Sequence, residues 1–381
     1  MTLSETDVLV VGAGPVGLTA AIVLIQAGHD VIVVDNQAEG ANTSRAAVLH
    51  PHTLELLEPF RVTPNLVARG VPVPTFAIRD RDDLLMRVPF AELPTPYPFT
   101  LMISQADTEA FLLTRLGELG AKVVRPATVV AVSQDDAHVT ATFDDGDRIR
   151  ARYLVGADGL HSTVRAEADI AFVGGTYEES FILADVHLSG GVPPEEVTLY
   201  FSPAGLVVVA PLPGGLHRIV ATVTDAPQQP DVAMVQQLLD HRGPQARPVV
   251  VEDVVWSSRF RVHHRIADTF RAGRVLLAGD AAHVHSPAGG QGMNLGIEDA
   301  VVAGQVLSRV LSGESPDSLD DYAAARRRTA AQVVALAGRL TDMATVSSRR
   351  RPIRNRLMRL AGLIPAVRHR LAWRLSGLDR R

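Results

Sequence analysis

The sequence predicts an α/β fold with a β-rich insert and a helical C-terminal segment. Three observations carry this reading. An apolar run, Val8 to Val11, meets the turn Gly12-Ala13-Gly14-Pro15-Val16-Gly17; a helix over 16–26 follows, then a second apolar run, 31–34, ending at Asp35. Late in the chain another run of buried type, Val275 to Leu277, leads through Gly279-Asp280 and a glycine-rich loop to a long helix over 295–311. Between these lie short strand-like segments broken by Gly and Pro.

Along the chain, Gly28 reads as the C-cap of the first helix, and a short helix is expected over 53–58. Pro72, Pro74, Pro89, Pro94, Pro96 and Pro98 exclude a long helix between 70 and 100. Phe111, Leu112, Leu116 and Leu119 give residues 105–119 a helical apolar face. Strands are expected over 123–132, 139–143 and 149–155, then over 181–187, 197–201, 206–209 and 217–223. From Arg326 onward the chain reads as helical and arginine-rich. The resulting expectation is a discontinuous nucleotide-binding domain (1–70, 101–175 and 262–345), a β-rich substrate domain (71–100 and 176–261) and a helical tail (346–381).

Composition limits the function. Hydrophobic residues make up 46% of the 381 and charged residues 21%, ordinary for a globular protein. A formal charge of −5 argues against nucleic acid as a partner, which needs a basic field. Without cysteine there is no disulfide, thiolate nucleophile or Cys-ligated metal. Met1 to Asp7 lacks the basic start of a signal peptide, and no run reaches the ~18 apolar residues of a membrane span, so a cytoplasmic location is expected.

The motifs carry chemistry. Gly12 permits a tight turn, Gly14 lets the backbone approach a pyrophosphate, and Gly17 lets helix and strand pack closely. The helix start faces the negative charge, and Asp35 accepts ribose hydroxyls. This motif does not separate FAD from NAD; the second one does. Asp280 ends an apolar strand where it would bond a flavin-chain hydroxyl. The loop Ser286-Pro287-Ala288-Gly289-Gly290-Gln291-Gly292-Met293-Asn294 is suited to lie flat on a planar ring. It runs into a helix whose positive end would stabilise negative charge on the reduced ring.

These residues resemble the group A flavoprotein monooxygenases, the para-hydroxybenzoate hydroxylase superfamily. Besides the two glycine motifs, Tyr153 to Arg165 is similar to that family's Asp-Gly segment, Ser44-Arg45-Ala46 with Thr53 to Leu57 to its arginine segment, and Ile103-Ser104-Gln105 to the segment whose glutamine meets the flavin chain. The resemblance implies a Rossmann-like FAD-binding domain (GR2-type). It implies cofactor contacts at Gly12, Gly14, Pro15, Val16, Gly17, Asp35, Asn36, Arg45, Gln105, Asp158, Gly159, Arg165, Gly279, Asp280, Pro287, Gly290, Gly292, Met293 and Asn294. Arg45 is also the one candidate catalytic residue. Asp35 stands where many FAD proteins carry Glu, and no thioredoxin-like domain of the kind found in longer polyketide hydroxylases is expected.

The implied reaction is NAD(P)H- and O2-dependent oxygenation of an aromatic substrate through a flavin C4a-hydroperoxide. With one nucleotide fingerprint, NADPH or NADH is expected to bind transiently. The apolar β-insert suits a polycyclic or polyketide-like molecule, with Phe181, Leu199, Phe201, Val209 and Pro287 as pocket residues. Baeyer–Villiger oxidation, epoxidation and antibiotic inactivation remain open on the same scaffold, as does a non-catalytic FAD-bound ligand carrier. Trp256 and Trp373 are the only tryptophans, so the Trp-x-Trp-x-Ile-Pro motif of halogenases is absent. His283 and His285 lack the further ligands of a metal site, and no metal is expected. The arginine-rich tail could form a membrane-surface helix, but packing against the chain's own body is the commoner outcome. The oligomeric state stays open.

Overall fold

The computed structural model describes residues 3–40, 46–344, 346 and 349–381. The chain opens with β1 (Leu3–Val11), α1 (Pro15–Gln26) and β2 (Val31–Val34). Short helices follow at Pro51–Leu57 and Thr63–Arg69, then the hairpin β3 (Thr75–Asp80) and β4 (Asp83–Pro89), and α2 (Gln105–Glu118). Next come β5 (Val123–Val124), β6 (Arg148–Gly156) and the short α3 (Thr163–Glu167). The long β7 (Phe172–Gly190), β8 (Glu196–Ser202), β9 (Gly205–Pro211), β10 (Leu216–Val223), α4 (Val232–Arg242) and β11 (Val249–Ala267) form the middle of the chain. It closes with β12 (Val275–Leu277), α5 (Gly292–Leu311), α6 (Ser318–Ala344), α7 (Arg351–Gly362) and α8 (Pro365–Leu375).

Two large sheets organise these elements. In the first, β12, β6, β1, β2 and β5 lie side by side and parallel. The hairpin 129–134/139–143 hangs on β6. Val8, Leu9 and Val10 of β1 are fully buried, as their unbroken apolar run requires of a central parallel strand. Because the strands are parallel, their carboxyl ends share one edge. The residues that follow them are hydrogen-bonded together there: Gly12 N–H to the Val34 carbonyl, Ala157 N–H to Val11, and Ala278 N–H to Gly156, at 2.8, 2.8 and 3.0 Å. That edge is where an open α/β sheet binds ligands.

The second sheet runs β11-β7-β10-β9-β8-β3-β4, antiparallel except for the β8–β3 pair. Its alternating side chains serve two faces. One holds Ile182, Ala184, Tyr200, Val207, Val209 and Ile219 and packs under α4 through Val235, Leu238 and Leu239. The other holds Phe181, Leu199, Phe201, Leu206 and Val208 and meets the C-terminal helices through Met358 and Leu371. Val209, expected in the substrate pocket, lies on the face under α4, opposite Phe181, Leu199 and Phe201. A pleated strand apolar on both faces gives no signal for which set points where.

Other expectations shift. The strand expected over 123–132 is two strands, Val123–Val124 and Val129–Gln134, separated by the Arg125-Pro126 turn. Helix α4 and the full length of β7 and β11 were not anticipated, because charged residues interrupt their apolar pattern. Gly28 lies one residue past the C-cap Ala27, at φ +91°, the left-handed position that favours glycine.

A buried polar chain joins α5 to α6. Arg326 donates to Asp299 at 2.5 Å and to Glu298 at 3.4 Å, and Asp299 also accepts from His283 at 2.6 Å. Burial alone would raise the Asp299 carboxyl, but the Arg326 and His283 charges hold it below the usual range. Removing the cation while leaving two buried carboxylates is costly. Arg326→Leu is expected to lower the unfolding free energy by about 3–5 kcal/mol in a denaturant titration; a loss within experimental error would show that the network carries no stability.

Candidate active site

The sheet edge offers two helix starts. α1 begins at Gly14 with no side-chain cap and no acid in its first turn. Gly12, at φ +101°, brings the turn so close to β6 that a Cβ there would lie 2.3 Å from the Ala157 carbonyl oxygen. Gly17 is closed in the same sense, its Cβ position 1.8 Å from the Gly12 carbonyl oxygen. Gly14 differs: a Cβ there would meet only Glu109 Oε1, at 4.0 Å. The space over the uncapped N–H groups is thus open, which is what a diphosphate needs. Asp35 closes the site from β2, accepting Ala13 N–H at 2.6 Å and Gln37 N–H at 2.8 Å through its two oxygens. Each oxygen keeps room for a ribose hydroxyl. Asn36 beside it is exposed.

Two groups there escaped the sequence reading. Arg125 donates to the Ala13 carbonyl at 3.3 Å, bringing a guanidinium to the glycine turn from β5. Glu109, bonded by Gln105 at 2.8 Å, has its carboxyl raised by burial, which favours the neutral form beside a bound anion. No sequence motif links Arg125 to residue 13; only the β2–β5 pairing does.

The second helix start is α5. Its N-cap, Gln291, makes no side-chain cap, and its first turn holds no acid. Gly279 and Gly296 both fit tightly around Val16, so α1 and α5 begin side by side. Asp280 is exposed at the turn after β12. The Asn294 side chain is buried, accepting His50 N–H at 2.7 Å and donating to the carbonyls of Val48 and Gly290 at 2.9 and 2.8 Å. It shapes the loop from beneath. His50 Nε2 bonds the Gly289 carbonyl at 2.9 Å, and Gln291 donates to the carbonyls of Gly289 and Leu375, each at 3.0 Å. Arg380 completes the frame, holding Glu298 at 2.6 Å and Gln291 at 3.3 Å. Pro287, Gly290, Gly292 and Met293 are left half-buried on this frame.

Asp158 and Arg165 face inward. Asp158 binds the Ser162 hydroxyl at 2.5 Å and Val164 N–H at 3.1 Å, capping α3, and burial raises its carboxyl. Arg165 spends its guanidinium on the carbonyls of Ala281 and Leu160, at 2.9 and 3.0 Å, and lies 3.9 Å over the Phe172 ring. Together with Gly159 they hold the turn beside Asp280. Arg45 lies outside the described residues. Its neighbour Ala46 is held from α2 and from the second sheet: its carbonyl accepts Gln105 N–H at 3.0 Å and the Arg218 guanidinium at 3.2 Å. Arg218, 1% exposed, also makes a two-point pair with Asp185 at 2.7 Å and lies over Trp256.

Phe181 and Phe201 are core residues, each 2% exposed. Half-buried apolar side chains around the neighbouring core cluster include Val48, Leu199, Val208, Leu216, Leu340 and Trp373. Leu340 lies within 3.3 Å of a Cβ built at Gly289, which joins this surface to the loop.

Open space over one uncapped helix start, a second such start against a flat glycine loop, and an acid at the end of β2 fit FAD. Comparison with known proteins agrees. The profile of the FAD binding domain family matches residues 5–337. The 6-methylpretetramide 4-monooxygenase of Streptomyces rimosus is 37% identical over 397 residues, spanning 98% of this chain and 69% of that enzyme. Among solved structures, p-nitrophenol 4-monooxygenase PnpA from Pseudomonas putida DLL-E4 superposes with a TM-score of 0.89 at 28% identity, covering 100% of both chains. OxyS anhydrotetracycline hydroxylase from Streptomyces rimosus gives 0.81 at 33% identity, covering 98% of this chain and 76% of that one. Fold and site define a flavoprotein oxidoreductase. The chain belongs to the FAD binding domain family, and it is an FAD-dependent monooxygenase drawing on NAD(P)H and O2.

The histidine under the loop makes stability depend on pH. Burial lowers His50 to about 4 from an ordinary 6.5. The unfolded chain takes up this proton at higher pH than the folded one. The stabilisation is complete above about pH 6.5, declines as pH falls toward 4, and changes no further below that. Its size is about 3 kcal/mol. Unfolding free energies measured across this window are expected to fall, and His50→Gln to flatten the fall; equal slopes would contradict the assignment.

Proposed function

We propose that this monooxygenase oxygenates a polycyclic, polyketide-like aromatic substrate held between the glycine loop and the second sheet. The observation that carries this is an uncharged lining: Leu199, Val208 and Leu216 of the second sheet and Trp373 are half-buried and apolar, and Val48 and Leu340 stand against the loop at Gly290 and Gly289. Such a surface rewards a large flat apolar molecule and gives a small carboxylate no partner. The related S. rimosus enzymes, named for tetracycline-type substrates, support the same class.

Bound FAD would supply the redox chemistry, passing electrons from NAD(P)H to O2. The chain's own residues hold it. Gly12 to Gly17 receive the diphosphate, with Pro15 and Val16 setting the helix entry and Arg125 neutralising charge. Asp35, flanked by Asn36, accepts the ribose hydroxyls, and Asp280 the ribityl chain. Gln105 would flank the chain from the other side, and Arg45 is proposed as a contact on its motif alone. Pro287, Gly290, Gly292 and Met293 would line the ring, and the α5 start would supply N–H groups to its anionic edge. Asp158, Gly159 and Arg165 keep the Asp280 turn in place. The apolar face excludes water from the reacting atoms. Its reductant is a cytoplasmic nucleotide, and the enzyme is assigned to that compartment.

Two outcomes test this. Arg125→Ala is expected to weaken FAD binding by about 1–3 kcal/mol, read by titrating the apoprotein with FAD; unchanged affinity would remove Arg125 from the site. Val208→Glu is expected to leave FAD content intact while abolishing the acceleration of flavin reduction by polycyclic phenols in stopped-flow mixing with NADPH. Val209→Ala should leave that acceleration intact and cost roughly 1–3 kcal/mol of stability. The reverse pattern would put the substrate on the other face.

A further inference from the structure

The C-terminal helices carry a surface that the monooxygenase reaction does not use. On the inner side of α7, every strong contact is satisfied. Arg351 makes a two-point pair with buried Asp80 at 2.7 and 2.8 Å, Asn355 bonds the same carboxylate, and Arg354 donates to the carbonyls of Phe201 and Met343 at 2.8 and 3.1 Å. Met358 is buried against the second sheet. The hairpin is thus fixed to the body rather than loosely attached.

The outer side is different. Ile353, Leu357, Leu360, Leu363, Ile364 and Val367 are 64, 61, 52, 77, 51 and 39% exposed. The first three recur at spacings of four and three, one stripe of a helix, and the rest continue it through the turn into α8. The other exposed large apolar side chains are scattered along the chain, so this ridge is the concentration. Arg349, Arg350 and Arg356 border the stripe on α7, and Arg370 and Arg374 lie on the outer side of α8. Among the described residues none of these five forms an ion pair, and Asp379 acts on Arg374 only at longer range. Residues 349–381 contain eleven arginines and one acid, Asp379, within a chain of net charge −5.

We propose that the α7–α8 hairpin docks peripherally on an anionic lipid bilayer, its apolar ridge entering the acyl boundary and its bordering arginines meeting lipid phosphates. Arginine stems lie along such a boundary while their heads stay at the phosphate level. A second copy of the chain fits less well: a two-fold contact through the ridge would set arginine against arginine with no acid on either helix. Nothing spans the bilayer in this arrangement, and among the described residues no helix is long and apolar enough to cross one. The docking is independent of the substrate reading, because it concerns the face of the hairpin turned away from the second sheet.

The test is co-sedimentation of the full-length, FAD-loaded enzyme with phosphatidylglycerol-containing vesicles, against pure phosphatidylcholine vesicles. The enzyme is expected to pellet with the anionic vesicles and to be released by high salt. Leu357→Glu with Leu360→Glu, and separately Arg350→Glu with Arg356→Glu, are each expected to reduce partitioning at least about tenfold. Their side chains are exposed, so FAD content and thermal melting should be retained. Failure to associate with anionic vesicles overturns the proposal, as does equal binding by the variants or equal binding to both vesicle types. A wild-type dimer that either variant converts to a monomer in light scattering would also overturn it, by making the ridge a contact between copies.

Discussion

Two helices of this chain start without a capping side chain at the same edge of one parallel sheet, and the rest of the structure is arranged around those unfilled donors. A helix start leaves backbone N–H groups without partners and carries partial positive charge. A side-chain cap answers this in α2, α3 and α4, through Ser104, Ser162 and Asp231, while α7 and α8 have neither a side-chain cap nor an acid in the first turn. The starts of α1 and α5 have neither. Gly296 and Gly304 let α5 pack against Val16 and Val23 of α1, so both starts face the same space. An anionic cofactor with a diphosphate at one end and a ring that gathers negative charge at the other is the complement of that arrangement.

Holding the second start requires more than the helix itself. The loop before α5 is pinned from three parts of the chain. Bonds of Asn294 and Gly289 tie it to Val48 and His50, Arg380 reaches Gln291 and Glu298 from the last turn, and Arg326 anchors Glu298 and Asp299 from α6. Each of these groups is buried, where an unsatisfied partner is expensive. A loop held this way does not need to reorganise when charge develops on the ring it faces, which is the condition for electrostatic stabilisation to be effective. Arg218 performs the matching task between the sheets, joining Asp185 of the β-rich sheet to the Ala46 carbonyl beside the glycine loop's partner strand.

Much of this was legible in the sequence, and the division follows physical lines. The glycine turn, Asp35, Asp280 and the second glycine loop are local: their spacing alone dictates turn, strand end and helix start. The family's order of motifs then identifies FAD. Arg125, Glu109, His50 and Arg218 were not legible, because each reaches the site through pairing between distant segments. Asn294 and Arg165 sit within recognisable motifs, yet their side chains turn into the protein, and a motif does not specify which way a side chain faces. Which residues share a face of the second sheet was not legible for a related reason. Val208 and Val209 are equally apolar, and only the covering of one face by α4, a helix the apolar pattern did not reveal, decides which is core. The tail's apolar stripe is regular enough to have been read as a face packed on the body, whereas Arg354 and Met358 occupy that face and the stripe is exposed.

The central claim is that the open space over the α1 start is cofactor space and not merely a loose turn. Gly14 isolates it, because a Cβ there meets no protein atom closer than 4.0 Å and its backbone needs no positive φ. Titration of the Gly14→Val apoprotein with FAD, alongside its thermal melting, is the direct measurement. The account predicts an apoprotein as stable as the wild type that no longer binds FAD. A Gly14→Val protein that binds FAD with wild-type affinity would contradict it.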